Sequence, residues 1–178
     1  MTNYSHRQSK LQERRTARDV GGRVQPASGA TPFAKGDVRK MGDIRIECKT
    51  TSGQSYVLKK SDLVKIRREA ASALEEWAFV IQFQKQSGIG RKLVVCDYRT
   101  LYDRWAQTTS KKEQDGLKTP LSSTPKKQMT IYPAYVLSLL DITGAFAMQL
   151  IFRESDGESL YGLTTWETFQ ELREKDHA

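Results

Sequence analysis

Asp37, Glu47 and Lys49 are the residues of this chain whose types and spacing point most directly to chemistry. The second carboxylate stands ten places after the first, and the lysine two places after the second, all within GDVRKMGDIRIECKTT. Two carboxylates suit a hard cation such as Mg2+, which takes few protein ligands and keeps waters. An ammonium beside them orients or deprotonates an attacking water, or neutralises the charge that develops on a phosphorane. Together they describe metal-assisted hydrolysis of a phosphodiester, with the metal as Lewis acid. An acidic pair followed by a lysine also arises by chance, and a charged solvent face of a hairpin would show the same alternation.

The elements that must position these groups are two short strands. Asp37 to Lys40 and Asp43 to Thr50 are extended runs with Met41-Gly42 between them, the pattern of an antiparallel hairpin. A strand alternates faces, so Glu47 and Lys49 project together while Ile44, Ile46 and Cys48 project to the other side. Pairing of the strands carries Asp37 towards Glu47 and Lys49. Asp43 competes for the role of first carboxylate, but it stands at the start of the same strand as Glu47 and reads as a turn residue.

Charge is unevenly spread. The chain of 178 residues has a net charge of +8, and residues 1–106 hold 21 Lys+Arg against 11 Asp+Glu, whereas residues 107–178 hold 8 against 10. A basic field around an acidic cluster points to a polyanionic substrate such as DNA, because lysines and arginines release counterions from the phosphate backbone. Cys48 and Cys96 lie in apolar strand-like runs without metal-ligand spacing, so both are expected to be core thiols and a zinc site is not expected. No apolar run reaches the length of a membrane span and residues Met1 to Ser9 are polar, so no membrane partner is expected and the expected location is the cytoplasm.

Along the chain the patterns alternate between helix and strand. Ser9 to Asp19 has helical composition and contains Glu13; Gly21-Gly22 stops it. Arg23 to Phe33 reads as a loop, Ser55 to Leu58 as a strand, and Ser61 or Asp62 as the cap of a helix to about Glu75 with Leu63, Ile66, Ala70 and Leu74 on one face. Trp77 to Phe83 and Arg91 to Cys96 read as buried strands joined by a turn at Ser87-Gly88-Ile89-Gly90, followed by a helix carrying Tyr98, Tyr102 and Trp105. Residues 107–128 read as a polar linker or mobile loop. Residues 129–178 read as an apolar segment, a strand at Ala145 to Phe152, a turn at Asp156-Gly157, a strand at Leu160 to Leu163 and a helix from Thr165 to Lys175. The order predicts an α/β class with a central mixed sheet flanked by helices over residues 1–106, and a C-terminal α+β extension over residues 129–178. The extension echoes the earlier strand-turn-strand-helix run at an offset of 67 residues, either as a duplicated unit or as two hairpin-helix pieces of one sheet.

Glu13 on an opening helix, the loop Pro26-Ala27-Ser28-Gly29-Ala30, Gly36-Asp37 and Glu47-Cys48-Lys49-Thr50-Thr51 occur in the order seen in the PD-(D/E)xK nuclease superfamily. Over about residues 9 to 106 the chain resembles the archaeal-type Holliday-junction resolvases of that superfamily and their phage relatives. The resemblance implies a restriction-endonuclease-like core. It implies that Glu13, Asp37 and Glu47 bind or organise metal and water, that the Cys48 backbone carbonyl completes the metal shell, and that Lys49 is the catalytic cation. It also implies substrate contacts from Ser28, Gly29, Arg23 and Thr51, with Ser28 at the scissile phosphate. Gly36 stands where the family has proline, and residues 107–178 have no counterpart in it.

The resulting expectation is an endonuclease that uses Mg2+, or Mn2+, to cut branched DNA, working as a homodimer because a four-way junction needs two symmetric cuts. A restriction- or repair-type nuclease on duplex or flap DNA is the second expectation. A non-catalytic DNA-binding module is the third. From the resemblance, the source is expected to be a phage or other mobile element.

Overall fold

Glycine sets the end of the first helix, as the sequence predicts. The structure is a computed structural model that describes residues 2–25, 37–85, 88–154 and 157–176. Helix α1 spans Thr2–Asp19, and Gly21 follows it in the left-handed region at φ 64°. The amide of Gly22 donates to the Ala17 carbonyl at 2.8 Å and that of Gly21 to the Arg18 carbonyl at 3.1 Å, the two bonds of a Schellman closure. Strand β1 (Arg23–Val24) comes next and pairs antiparallel with β2 (Val38–Lys40).

The expected hairpin is present. Strand β2 pairs antiparallel with β3 (Ile44–Thr51), Val38 opposite Ile46 and Lys40 opposite Ile44. Residues 41–43 turn the chain, with Gly42 at φ 71° and Asp43 ion-paired to Lys40 at 2.8 Å. Asp43 is therefore a turn residue, as its place in the sequence suggested.

Strand β3 then pairs in parallel with β5 (Glu76–Lys85), from Ile44 opposite Glu76 to Thr51 opposite Phe83. Parallel neighbours need a crossover. It is supplied by β4 (Tyr56–Lys59) and helix α2 (Lys60–Ala71), whose buried side chains are Leu63, Ile66, Glu69 and Ala70.

Leu74, expected on that buried face, is 93% exposed and stands at φ 54°, outside the helix. The helix ends earlier than its apolar spacing suggests, because Glu75 donates its amide to the Ala70 carbonyl at 3.0 Å and Leu74 to the Ala71 carbonyl at 3.1 Å. This is a second Schellman closure, with leucine in the place glycine usually takes. The Glu75 carboxylate is buried between Arg39 at 2.7 Å and Arg45 at 3.2 Å, and it also accepts the Gly42 amide at 3.2 Å. Arg45, which strand alternation puts on the face of Glu47 and Lys49, is thus buried as an ion-pair partner.

Contact density divides the chain into two compact units: Met1–Gly53 with Ser61–Arg91, and Gln54–Lys60 with Lys92–Ala178. Elements of the second unit are β4, most of β6 (Gly88–Cys96), α3 (Tyr98–Thr108), α4 (Lys111–Gly116), β7 (Leu121–Thr124), β8 (Gln128–Ile131), α5 (Pro133–Thr143), β9 (Met148–Glu154), β10 (Gly157–Thr165) and α6 (Trp166–Asp176). Strand order is β1-β2-β3-β5 in the first unit and β6-β10-β9-β7 in the second, where β4 also pairs with β8 in a separate sheet of two. The fold is α/β, a large mixed sheet flanked by helices. Gly88 to Gly90, expected in a turn, belong to β6.

Residues 107–128, expected as a linker or mobile loop, contain α4 and β7. Helix α4 opens on a capping box in which the Ser110 hydroxyl accepts the Glu113 amide and the Glu113 side chain accepts the Ser110 amide. Strand β7 runs parallel to β9. In α3, Tyr98, Tyr102 and Trp105 pack around the buried Phe146, with the Trp105 and Phe146 rings stacked at 4.8 Å; expected as core contacts, they cover the edge of the core instead, Tyr98 and Trp105 half-buried and Tyr102 exposed. Among the described residues no helix is long and apolar enough to cross a membrane.

Candidate active site

Where β2 begins, the Asp37 backbone joins the ladder: its amide donates to the Ile46 carbonyl at 2.9 Å, and its carbonyl accepts the Gln25 amide at 2.9 Å. Its side chain reaches the next rung. Oδ2 accepts the Cys48 amide at 2.8 Å, which fixes the carboxylate against β3 between Glu47 and Lys49 in sequence. Two residues along one strand face, the Lys49 ammonium meets Glu47 Oε1 at 2.6 Å. The Cys48 thiol is buried and free, and burial pushes its pKa well upward, so its contribution at this point is through the backbone.

Helix α1 adds two groups. Glu13 is half-buried, and neighbouring Gln12 is buried. Gln12 donates from Nε2 to the Lys49 carbonyl at 3.2 Å, and its Oε1 accepts the Thr50 hydroxyl, so one amide side chain straps α1 to the lysine and the residue after it.

Three carboxylates feel one another here. Burial raises the Asp37 pKa above its ordinary value, and the Glu47 charge raises it further against the Cys48 amide, Lys49 and Lys65. Burial likewise raises the Glu13 pKa, followed by the Asp37 charge; Lys10 opposes this, Glu47 reinforces it and Lys49 opposes it. Such mutual repulsion is what a cation would relieve, and all the donors are hard oxygens, which suit Mg2+ better than a thiophilic metal. Among the described residues no three His, Cys, Asp or Glu side chains are gathered tightly enough to hold a metal ion by themselves. A magnesium site does not require three, since one or two carboxylates with waters and substrate phosphate oxygens are the usual set.

A cleft of about 180 Å3 opens beside the pair, lined by Glu47, Lys49, Asp62, Lys65, Ile66 and Glu69. Lys65 brings a second ammonium to this cleft. The signal for its place was available: Asp62, Lys65, Ile66 and Glu69 recur at spacings of three and four and therefore share the side of α2 that meets β3. Gln12 carried no such signal, since it is a polar residue in a polar helix.

Of the other sequence-derived site residues, Thr51 ends β3 and accepts the Gly53 amide at 3.0 Å through Oγ1, a local turn bond. Arg23 is exposed on β1 and lines a different cleft from the carboxylates. Ser28, Gly29, the rest of the Pro26 to Ala30 loop and Gly36 lie outside the described residues.

No family model, no curated protein and no solved structure matches this chain. Its activity has to be inferred from the side chains themselves.

Proposed function

We propose that the chain is a metal-dependent DNA endonuclease with a PD-(D/E)xK type site on a restriction-endonuclease-like core, acting on branched DNA of the Holliday-junction kind. The observation that carries this reading is the meeting of Glu13, Asp37, Glu47 and Lys49 from three elements in a basic half of the chain, with two of the carboxylates raised in pKa. Ionisable groups that perturb one another mark candidate functional sites.

In this proposal Asp37 and Glu47 would hold the cation, with the Cys48 carbonyl as a further oxygen donor and Glu13 beside them to orient water. Bound Mg2+ supplies Lewis acidity toward the phosphoryl oxygens and lowers the pKa of water. The Cys48 amide keeps Asp37 aimed inward. Lys49, tethered to Glu47 and backed by the Gln12 bond to its carbonyl, presents its ammonium where the attacking water and the developing phosphorane charge would lie. Lys65 adds a second cation on the wall of the cleft.

The test is Mg2+-dependent cleavage of a labelled four-way junction, a flap and a linear duplex of matched sequence. Symmetric nicks on the junction support the proposal, together with the homodimer that symmetry requires. Cutting of all three substrates would make the enzyme a restriction- or repair-type nuclease. Binding without cutting in Mg2+ or Mn2+, unchanged in Lys49→Ala, would make it a DNA-binding module and defeat the proposal.

A further inference from the structure

Leu11, Arg14, Arg15 and Arg18 recur at spacings of three and four and share one face of α1. With Ala17, Gly22, Arg23 and Val24 they line a cleft of about 590 Å3. Among the described residues its lining contains four guanidinium groups and no carboxylate. Among the described residues, none of the ion pairs engages Arg14, Arg15, Arg18 or Arg23. Arg14 and Arg18 stand four apart and Arg15 and Arg18 three apart, so the helix bears like-charge repulsion on this face that an anion would remove. All four are exposed, and the floor is apolar, formed by Leu11, Ala17 and Val24.

We propose that this arginine cleft is a second, non-catalytic DNA contact that grips backbone phosphates a short distance along the strand from the bond to be cut. Arginine suits the task because its planar fork matches two phosphate oxygens at once. The ligand is DNA, and not an isolated anion, because of where the cleft wall leads. Arg23 and Val24 continue into Gln25, whose amide holds the Asp37 carbonyl at 2.9 Å. Two residues of strand span about 7 Å, roughly the reach of one or two nucleotides of backbone. Glu13, whose carboxyl interacts with those of Asp37 and Glu47, and Arg14 are consecutive on α1 and so point about 100° apart, to different flanks of the helix. One helix thus offers a carboxylate to the metal site and arginines to the flanking phosphates. The inference rests on the nuclease reading for its choice of DNA, but it concerns binding alone.

The test is fluorescence anisotropy of labelled junction and duplex DNA with the full chain in EDTA, over a series of salt concentrations. In R14Q/R15Q/R18Q the slope of log affinity against log salt is expected to fall by about two to three units, since each lost phosphate contact removes about 0.9. The control K111Q/K112Q/K118Q removes the same charge from exposed positions elsewhere and is expected to leave the slope within about half a unit of wild type. Arg→Lys at the three cleft positions keeps the charge, so the slope returns while affinity does not fully recover; circular dichroism confirms that each variant is folded. A wild-type slope in R14Q/R15Q/R18Q, or an equal drop in the lysine control, overturns the inference. If wild type cuts no DNA but the arginine variant alone loses the slope, the nuclease reading fails and the cleft stands. If wild type cuts and the arginine variant binds as wild type does, the cleft fails and the nuclease reading stands.

Discussion

Two acidic sites in the first unit treat their carboxylates in opposite ways. Glu75 is buried between Arg39 and Arg45 and accepts the Gly42 amide as well, so its charge is matched on every side the structure describes. Asp37 and Glu13 lie beside another carboxylate, with Lys49 paired closely to Glu47, and both have raised pKa values despite the opposing charges of Lys49, Lys10 and Lys65. The first arrangement locks the β2-β3 turn to the end of α2. The second leaves repulsion in place at the same hairpin, which suits a site built to take up a cation and a polyanion. A frame held rigid by one set of charges carries another set that folding has not neutralised.

Breaking the satisfied site should cost the most. Glu75→Ala leaves Arg39 and Arg45 facing each other without a counter-charge, and the expected loss is about 3–5 kcal/mol of stability in urea unfolding, the cost typical of removing one partner from a buried ion pair. A loss below about 1 kcal/mol would show that the triad does not hold the hairpin.

The opposite sign of effect is expected at the strained site. Asp37→Asn should lower Mg2+-dependent cleavage by about 10²–10³-fold while leaving the unfolding midpoint equal to or above that of wild type. The pH dependence follows from the raised pKa values. A carboxyl whose folded pKa lies above its unfolded value binds protons more tightly in the native state, so its stabilising contribution is full below the unfolded pKa and is lost as pH rises through the folded one. Wild type should therefore lose stability across that window relative to E13Q/D37N, whose melting midpoint should vary less with pH. Parallel curves for the two proteins would remove the repulsion from the account.

The smallest effect is expected where exposure screens the charge. Arg153 and Glu158 pair at 2.9 Å across β9 and β10, both more than half exposed. Arg153→Ala should change stability by less than about 0.5 kcal/mol. An effect comparable to that of Glu75→Ala would mean that geometry alone, and not burial, sets the worth of these pairs.

Much of this arrangement was legible before any coordinates. The hairpin was visible because strand period and a glycine turn are local signals, and Asp37, Glu47 and Lys49 came with it. The stop of α1 was equally local, since Gly21 takes the left-handed conformation that a helix closure asks for. Leu74 closes α2 in the same way without the glycine, so its apolar spacing misleadingly assigned it to the buried face. Glu75, Arg39 and Arg45 carried no local signal because their meeting depends on tertiary packing across thirty or more residues of chain. Strand β7 was hidden for a related reason: its Leu-Ser-Ser-Thr sequence gains a partner only when β9 lies beside it. Gln12 was illegible because nothing in a polar helix marks which polar residue will be buried.

The most direct test of the central claim is divalent-cation binding measured apart from catalysis. Mn2+ titrated into the full chain and followed by electron paramagnetic resonance, with and without a non-cleavable phosphorothioate junction, should reveal bound ion in wild type and in R14Q/R15Q/R18Q, and its loss in Asp37→Asn and Glu47→Gln. Equal Mn2+ binding by wild type and both carboxylate variants, or none by wild type even with DNA present, would contradict the assignment of Asp37 and Glu47 as a metal site.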